Sequence, residues 1–337
     1  MSYSGYRSAK IFLLSAMLVA AGATLSTATY AAGTVKLGVN IWIGAAPFYV
    51  ADALDLYKKY NTSVKLQFFN DLALVPPAMA SNGLDGGVLT YDMVVANVAR
   101  GMSQRVVMPV DYSNGGDAIL ATKDITKITD FKGKKVAFNP LSPSDFLLSY
   151  ALKSNGLSDK DIKPVNMGAE AVAAAMASGG VPIGVTYQPS ISQIEGMDGG
   201  KKFHVVYSSK EAPGLITDVL VFNKKFIDAH PAEVKAVMQG YLDGLAYMKS
   251  NPDDAIKLIA KAMKLKPEEV KEQLPDVYNL PLSEMPKVFA KTVDTMSFFT
   301  TNQVIGQILK NKKQIKSIPA CETTFDDQFV KAMIAGK

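Results

Sequence analysis

A strand, a turn and a helix follow one another early in the chain, and this succession constrains the fold more than any other feature. Residues 35–39 form a short β-type run, and the turn after it contains Trp42 and Gly44. Pro47 then begins a helical pattern. Proline suits the first helical position, because an N–H there would have no partner within the helix. Such a unit presents backbone donors at the carboxyl edge of a sheet, where open α/β sheets bind ligands. The segment alone leaves open whether this turn contacts a ligand.

The same alternation continues along the chain. Apolar runs predict strands at 36–39, 64–69, 87–89, 106–110, 118–122, 135–138, 163–165, 183–186, 204–206 and 218–222. Helical spacing predicts helices at 47–60, 73–81, 92–101, 143–154, 170–178 and 190–195. From Lys224 onward the pattern is mainly helical. Strands separated by helices predict βαβ units, and therefore an α/β fold with mixed, mostly parallel sheets and a helical C-terminal third.

The N-terminus has the pattern of an export signal. Arg7 and Lys10 form a basic region, residues 11–23 are almost entirely apolar, and residues 29–31 offer a cleavage site. The apolar run is shorter than the ~20 residues of a spanning helix. A retained N-terminal anchor is the alternative. We expect a signal peptide at 1–31, cleaved near Ala31, and a soluble periplasmic mature protein.

Composition excludes several classes of function. The chain has 36 basic and 31 acidic residues, and dispersed lysines give no reason to expect nucleic acid as a partner. Cys321 is the only cysteine, which excludes a disulfide framework. Neither it nor the two histidines, His204 and His230, belongs to a recognisable nucleophile or metal motif. We therefore expect no catalytic residue, no metal site and no cofactor, and we do not expect an enzyme.

Seven sequence motifs, taken in order, resemble one family. They are IWIGAAPFYVA at 41–51, GGVLTYDM at 86–93, NGGDAIL at 114–120, FKGKKVAF at 131–138, VPIGVTYQP at 181–189, APGLITDVLVF at 212–222 and FIDAHP at 226–231. The chain resembles the periplasmic solute-binding proteins of ABC importers, in the nitrate/sulfonate/taurine class that includes binders of thiamine pyrimidine precursors. The resemblance implies a two-lobed periplasmic-binding-protein fold with a two-strand hinge. It also implies a small-molecule solute and a membrane permease as partners, and we expect a monomer.

This architecture can be placed on the sequence. The first lobe would comprise 32–114 plus 219–337, and the second lobe 115–218. The crossings would lie near 115–119 and 216–220. Gly115 and Gly116 suit a hinge because glycine changes its dihedral angles at little steric cost, although a plain turn explains them equally well.

In the first lobe, four residues are candidate ligand contacts. Trp42, the only tryptophan, offers a large surface for stacking, or it anchors its own loop. Thr90, Tyr91 and Asp92 follow a predicted strand and begin a helix. Thr90 could instead cap that helix, and Asp92 suits the helix dipole without any ligand.

The second lobe and the crossings supply the other candidates. Ser144 and Phe146 lie in the first turn of a predicted helix whose cap we expect to be Ser142, and Tyr187 and Gln188 follow a strand in the same way. The remaining two candidates are Asp117 and Asp218. Asp218 lies in an otherwise apolar strand, where a lone carboxylate is costly, so it either ties the hinge or faces the ligand.

The candidate residues also constrain the charge of the ligand. Rigid anions are often held by arginine, but Arg100 and Arg105 lie away from the predicted strand ends. Aromatic and acidic side chains favour a neutral or cationic nitrogenous solute. The alternative is a small anion, such as sulfonate, nitrate or bicarbonate, held by backbone amides and hydroxyls. The sequence does not separate an import protein from a periplasmic ligand sensor.

Overall fold

The computed structural model describes residues 33–336. The predicted signal peptide therefore lies outside the described residues. Within 33–336, no helix combines the length and the apolar composition that crossing a membrane requires.

The described residues contain eleven strands in two sheets. In chain order the strands are β1 Thr34–Val39, β2 Ser63–Phe68, β3 Gly86–Thr90, β4 Gln104–Ser113, β5 Asp117–Thr122, β6 Lys135–Phe138, β7 Lys163–Asn166, β8 Ile183–Tyr187, β9 Phe203–Ser208, β10 Thr217–Asn223 and β11 Val277–Asn279. Ten of them correspond to predicted strands. The sequence contains no comparable signal for β11, because a three-residue strand is too short to show a period.

Each sheet combines parallel and antiparallel pairs. The first has the order β11-β4-β10-β3-β1-β2, with β1 parallel to β2 and β3 and with β10 antiparallel to both β3 and β4. The second has the order β7-β6-β8-β5-β9, with β6 parallel to β7 and β8 and with β5 antiparallel to β8 and β9. Mixed sheets are thus confirmed, but parallel pairs do not predominate. The extended strands that carry the chain between the sheets, β4, β5 and β10, pair antiparallel.

Helices pack on both sheets and make up most of the C-terminal third. They are α1 Ala46–Ala53, α2 Val75–Ala80, α3 Tyr91–Ala99, α4 Pro143–Ser154, α5 Ala169–Ala177, α6 Ser190–Glu195, α7 Lys224–Ala229, α8 Pro231–Ser250, α9 Pro252–Met263, α10 Pro267–Gln273, α11 Met285–Phe289, α12 Phe298–Asn311 and α13 Gln328–Ala335. The helix predicted at 47–60 ends early, because Asp55 has a φ of 53° and a short 3-10 helix follows it.

Two crossings join the sheets and divide the molecule into two lobes. The chain leaves the first sheet after Ser113 and enters the second at Asp117. It returns between β9 and β10, and the two crossings touch where the hydroxyls of Ser113 and Ser209 are 2.8 Å apart. Gly115 has a φ of 112° and donates its N–H to the Ser209 hydroxyl at 2.7 Å. The exact lobe limits and the hinge remain predictions.

Candidate functional site

A small cavity lies where the two lobes meet. It encloses about 30 Å³. Residues from both sheets line it, namely Asn40, Trp42, Leu72, Thr90, Asp117, Asn139, Ser142, Pro143, Tyr187, Ile216 and Asp218. We call this space the acidic cavity, because two of its described lining residues are aspartates and none is Lys, Arg or His. It therefore brings together five of the ten predicted contacts.

The turn between β1 and α1 holds Trp42 at the acidic cavity. Tyr49 lies in α1, two residues after Pro47, and its side chain points back into the turn. Its hydroxyl lies 2.9 Å from the carbonyl oxygen of Asn40 and accepts the Trp42 N–H at 3.2 Å. The indole Nε1–H of Trp42 donates to Asp111 Oδ1 at 3.3 Å. The ring of Trp42 is thus fixed at both its backbone and its indole nitrogen.

Asp111 is completely buried behind Trp42, and its packing depends on a glycine. A Cβ atom on Gly44 would lie 2.3 Å from the Asp111 carboxyl group, so only glycine permits this approach. Asp111 Oδ2 has no hydrogen-bond partner among the described residues. Asp111 was not predicted, because nothing in the sequence distinguishes it from the other residues of an extended strand.

Asp218 lies in β10, directly between two strands of the first sheet. Its cross-strand neighbours are Asp111 in β4 and Thr90 in β3. Directly paired residues on neighbouring antiparallel strands have Cβ atoms about 4.5–5.5 Å apart. The register therefore brings the carboxyl groups of Asp218 and Asp111 together. The Thr90 hydroxyl is buried and has no hydrogen-bond partner in the described part of the chain.

The second lobe contributes Asp117 and Tyr187 to the same cavity. Asp117 begins β5, where its N–H donates to the Ser113 hydroxyl at 3.0 Å, and it pairs with Tyr187 of β8. The Tyr187 ring meets the Trp42 ring edge to face, with centroids 6.0 Å apart. This aromatic contact joins the lobes at the wall of the cavity.

The start of α4 closes the cavity from the second lobe. Ser142 is the N-cap residue of α4, as predicted, but its side chain makes no capping hydrogen bond, and its hydroxyl donates instead to the Asn139 carbonyl at 2.7 Å. The Asn139 amide reaches across to the first lobe and donates to Asp71 Oδ1 at 3.3 Å. Asn40 and Asn139 were not among the predicted contacts, although each directly follows a strand and adjoins one of the seven motifs.

Burial controls the protonation of the acidic cavity. It raises the pKa of Asp111 and of Asp117 to about 7 each. The pKa of Asp218 is raised well above its usual range, by burial and by the charges of Asp111 and Asp117. Three carboxyl groups near one another without a basic partner are costly to ionise together. A bound cation or hydrogen-bond donor would relieve that cost.

Three predicted contacts lie outside the acidic cavity. The Tyr91 hydroxyl lies 2.8 Å from the Thr324 hydroxyl, and its ring stacks on Phe298 at 4.0 Å, within the C-terminal helices. Gln188 donates to Asp276 Oδ2 at 3.0 Å. Ser144 is 1 % exposed and does not line the cavity. The role of these three residues as ligand contacts stays a prediction.

Asp92 and Phe146 also lie outside the acidic cavity. Both line a second, larger cavity between α3 and α4. Among residues 33–336, no group of three or more His, Cys, Asp or Glu side chains is arranged to hold a metal ion.

Comparison with known proteins agrees with this architecture. The model of the "NMT1/THI5 like" family matches residues 42–255. The chain is 26% identical over 241 residues to the taurine-binding periplasmic protein of Escherichia coli, covering 70% of this chain and 73% of that protein. It is 27% identical over 149 residues to a putative thiamine biosynthesis protein of Haemophilus influenzae, covering 43% of this chain and 48% of that protein.

Solved structures confirm the fold. The periplasmic aliphatic sulphonate binding protein from Escherichia coli superposes with a TM-score of 0.71 at 18% identity, covering 88% of this chain and 99% of that chain. The periplasmic nitrate-binding protein from Synechocystis PCC 6803 gives a TM-score of 0.69 at 14% identity, covering 90% and 89%. The two-lobed periplasmic-binding-protein fold predicted from the sequence is thereby confirmed, and with the family match over more than half its length, the chain belongs to the NMT1/THI5-like family.

Proposed function

We propose that this protein is the solute-binding component of an ABC importer and captures a small cationic or neutral nitrogenous solute in the acidic cavity. The observation that carries the proposal is the set of buried carboxyl groups, Asp111, Asp117 and Asp218, at a cavity whose described lining contains no basic side chain. An ammonium, guanidinium or amide group would supply donors to Asp117 and Asp218, the two aspartates that line the cavity. The proposal names a binding protein and not an enzyme, in keeping with its relatives.

Trp42 and Tyr187 suit the same class of solute. Aromatic rings attract cations at their faces, a contact of ~0.5–2 kcal/mol. The Trp42 ring is held in place before any solute arrives, so binding loses little side-chain entropy. Micromolar affinity requires ~8 kcal/mol, which stacking and several hydrogen bonds can supply only in a closed, preorganised cleft.

One observation favours a different solute. The N-terminus of α4 meets the cavity at Ser142 and Pro143, and helix N-termini attract anions. The names of the taurine-, sulphonate- and nitrate-binding relatives point the same way. A small anion held there without arginine is therefore the second candidate.

Capture would act through the lobes. Residues of both lobes line the acidic cavity, so a solute that contacts both shifts the protein towards its closed form, which a permease could recognise. We also propose that the protein, after cleavage near Ala31, is soluble and periplasmic and acts as a monomer. A sensor would use the same closure and differ only in its membrane partner.

A thermal-shift screen of the mature protein tests the proposal. Small amines, guanidines, ureas and pyrimidines would be compared with sulfonates, nitrate and bicarbonate, since binding to the native state raises the melting temperature. Hits would be titrated by calorimetry and by fluorescence of Trp42, the only tryptophan. A shift with nitrogenous solutes supports the proposal. A shift with anions alone would replace it by the second candidate.

Variants would assign the binding to the acidic cavity. We expect Asp117→Asn to weaken a cationic solute about tenfold or more, because a charge-assisted hydrogen bond is worth ~1.5–3 kcal/mol. Trp42→Ala should cost ~1–3 kcal/mol of binding free energy. Asp124→Asn, an exposed aspartate of the second lobe, is the matched control. Unchanged affinity in folded Asp117→Asn and Trp42→Ala proteins would remove the solute from this cavity.

A further inference from the structure

A second cavity, of about 340 Å³, lies between the lobes beside the acidic cavity. Residues of α2, α3 and α12 form one side of it, and the first turn of α4 forms the other. Its volume is within the ~300–1,000 Å³ of small-molecule pockets. Ser142 lines both cavities, but the other described lining residues differ. The two cavities are therefore neighbours with separate walls.

Apolar side chains make most of the wall of the second cavity. They come from both lobes, including α12, and they are Ala73, Pro76, Pro77, Met93, Ala96, Met102, Leu141, Phe146, Ile308 and Leu309. A surface of this kind binds a hydrocarbon or aromatic body through burial of apolar area. Methionine and phenylalanine side chains adapt well to a ring.

Most polar groups of the wall already have protein partners. Lys312 forms an ion pair with Asp145, whose other oxygen accepts the Leu141 N–H at 3.1 Å. The Arg100 guanidinium donates to a backbone carbonyl, that of Gln314, at 3.3 Å. These groups are therefore not free to bind a ligand strongly.

Asp92 differs from Asp145 because it has no ion-pair partner among the described residues. Its side chain lines the second cavity, the residue is only 6 % exposed, and no basic side chain of the described residues forms an ion pair with it. A buried carboxylate without a counter-charge is costly, whereas one paired with an ammonium group is strongly bound. Asp92 thus gives a mostly apolar cavity one charged side chain that can pair with a cationic ligand.

We propose that the second cavity is a binding site for a small apolar monoamine, with its hydrocarbon body against Phe146 and Met93 and its ammonium group on Asp92. Its walls come from both lobes, so an amine bound there contacts α3 and α4 together. Such an amine stabilises the closed arrangement of the lobes and thereby strengthens solute binding at the acidic cavity.

Calorimetry on the mature protein with 2-phenylethylamine tests the site. The uncharged analogue 2-phenylethanol is the matched ligand control. The amine is expected to bind at least tenfold more tightly than the alcohol. Asp92→Asn should remove this preference, because it keeps the shape of the wall and removes the charge. Ala96→Trp should fill the cavity and abolish binding of both compounds.

Two further measurements keep the proposal falsifiable. If Ala96→Trp does not fold, Ala73→Trp replaces it, because Ala73 is only half-buried. Loss of amine binding in Asp117→Asn with retention in Asp92→Asn would assign the amine to the acidic cavity and overturn the proposal, as would no binding at all. Because Asp117→Asn and Asp92→Asn assign each amine to one cavity or the other, failure of the importer proposal and failure of the second site are distinguishable.

Discussion

Asp111, Asp117 and Asp218 lose their hydration when the protein folds, and no basic residue lines the cavity among the described residues. In the free protein, protonation is the least costly way to accommodate such a group. A bound cation favours the ionised form instead. Uptake of a cation should therefore release protons, and affinity and stability should depend on pH in opposite directions.

The first prediction concerns that pH dependence. The pKa of Asp117 is raised to about 7 in the folded protein, above the ~3.9 of an unfolded aspartate, so the folded state binds more protons between these values. The contribution of Asp117 to the stability of the free protein should be greatest at acidic pH. It should decrease as the pH rises through about 7. Affinity for a cation should increase over the same interval.

Melting temperatures and calorimetric affinities at about pH 5.5, 7 and 8.5 test this prediction. Asp117→Asn should flatten both profiles, since the amide does not titrate. Exposed Asp124→Asn should leave both profiles as they are. Cation affinity that falls with rising pH would show that ionised carboxyl groups of the acidic cavity do not hold the solute.

At the scale of the element, the first crossing supports the β1–α1 turn. Gly116 packs under the Trp42 ring, where a Cβ atom would lie 2.5 Å from Trp42 Cη2. The ring is also bound to Asp111 and in contact with Tyr187. The Trp42 side chain is thus surrounded by strand β4, the first crossing and the turn after β1.

Gly116→Ala should displace Trp42 and weaken solute binding several-fold. The backbone at Gly116 has no positive φ, so the effect is steric. Emission of the single tryptophan should move to longer wavelength as the ring becomes hydrated. Gly180→Ala, where the new methyl group has contacts of 3.4 Å, is the control. Unaltered emission and affinity in Gly116→Ala would show that the crossing does not position the ring.

Helices and strands with a clear hydrophobic period were predictable from the sequence. The directions of individual side chains were not. β6 was predicted at 135–138, where it lies, because an apolar run between a lysine-rich turn and Asn139-Pro140 marks it. Trp42, Thr90 and Tyr187 were predicted as contacts because each follows a predicted strand, and all three line the acidic cavity. Tyr91 does not line it, because its ring packs against Phe298 of α12, a contact that the sequence does not show.

At the scale of the molecule, one buried ion pair joins the lobes. Lys312 follows α12, which packs on α3, and its ammonium contacts Asp145, the Ser149 hydroxyl at 2.9 Å and Asp159 Oδ1 at 3.4 Å, all in the second lobe. The side chain of Asp145 is 6 % exposed. Breaking such a pair leaves a buried charge without a partner, which is strongly destabilising.

Lys312→Met should therefore loosen the contact between the lobes. Without solute, the radius of gyration from X-ray scattering should increase, and affinity for the solute should fall several-fold because closure becomes less favourable. Lys310→Met, which replaces an exposed lysine on α12, is the control. Lys312→Arg should retain much of the contact between the lobes, because it keeps the positive charge. A scattering profile unchanged by Lys312→Met would show that the pair does not hold the lobes together.

The small volume of the acidic cavity, about 30 Å³, has a kinetic consequence. No solute of several atoms can enter or leave while the lobes are in contact, so the rate of lobe opening sets an upper limit on the dissociation rate. A weakly bound solute therefore cannot leave faster than the lobes open, whereas a solute that stabilises the closed form leaves more slowly still.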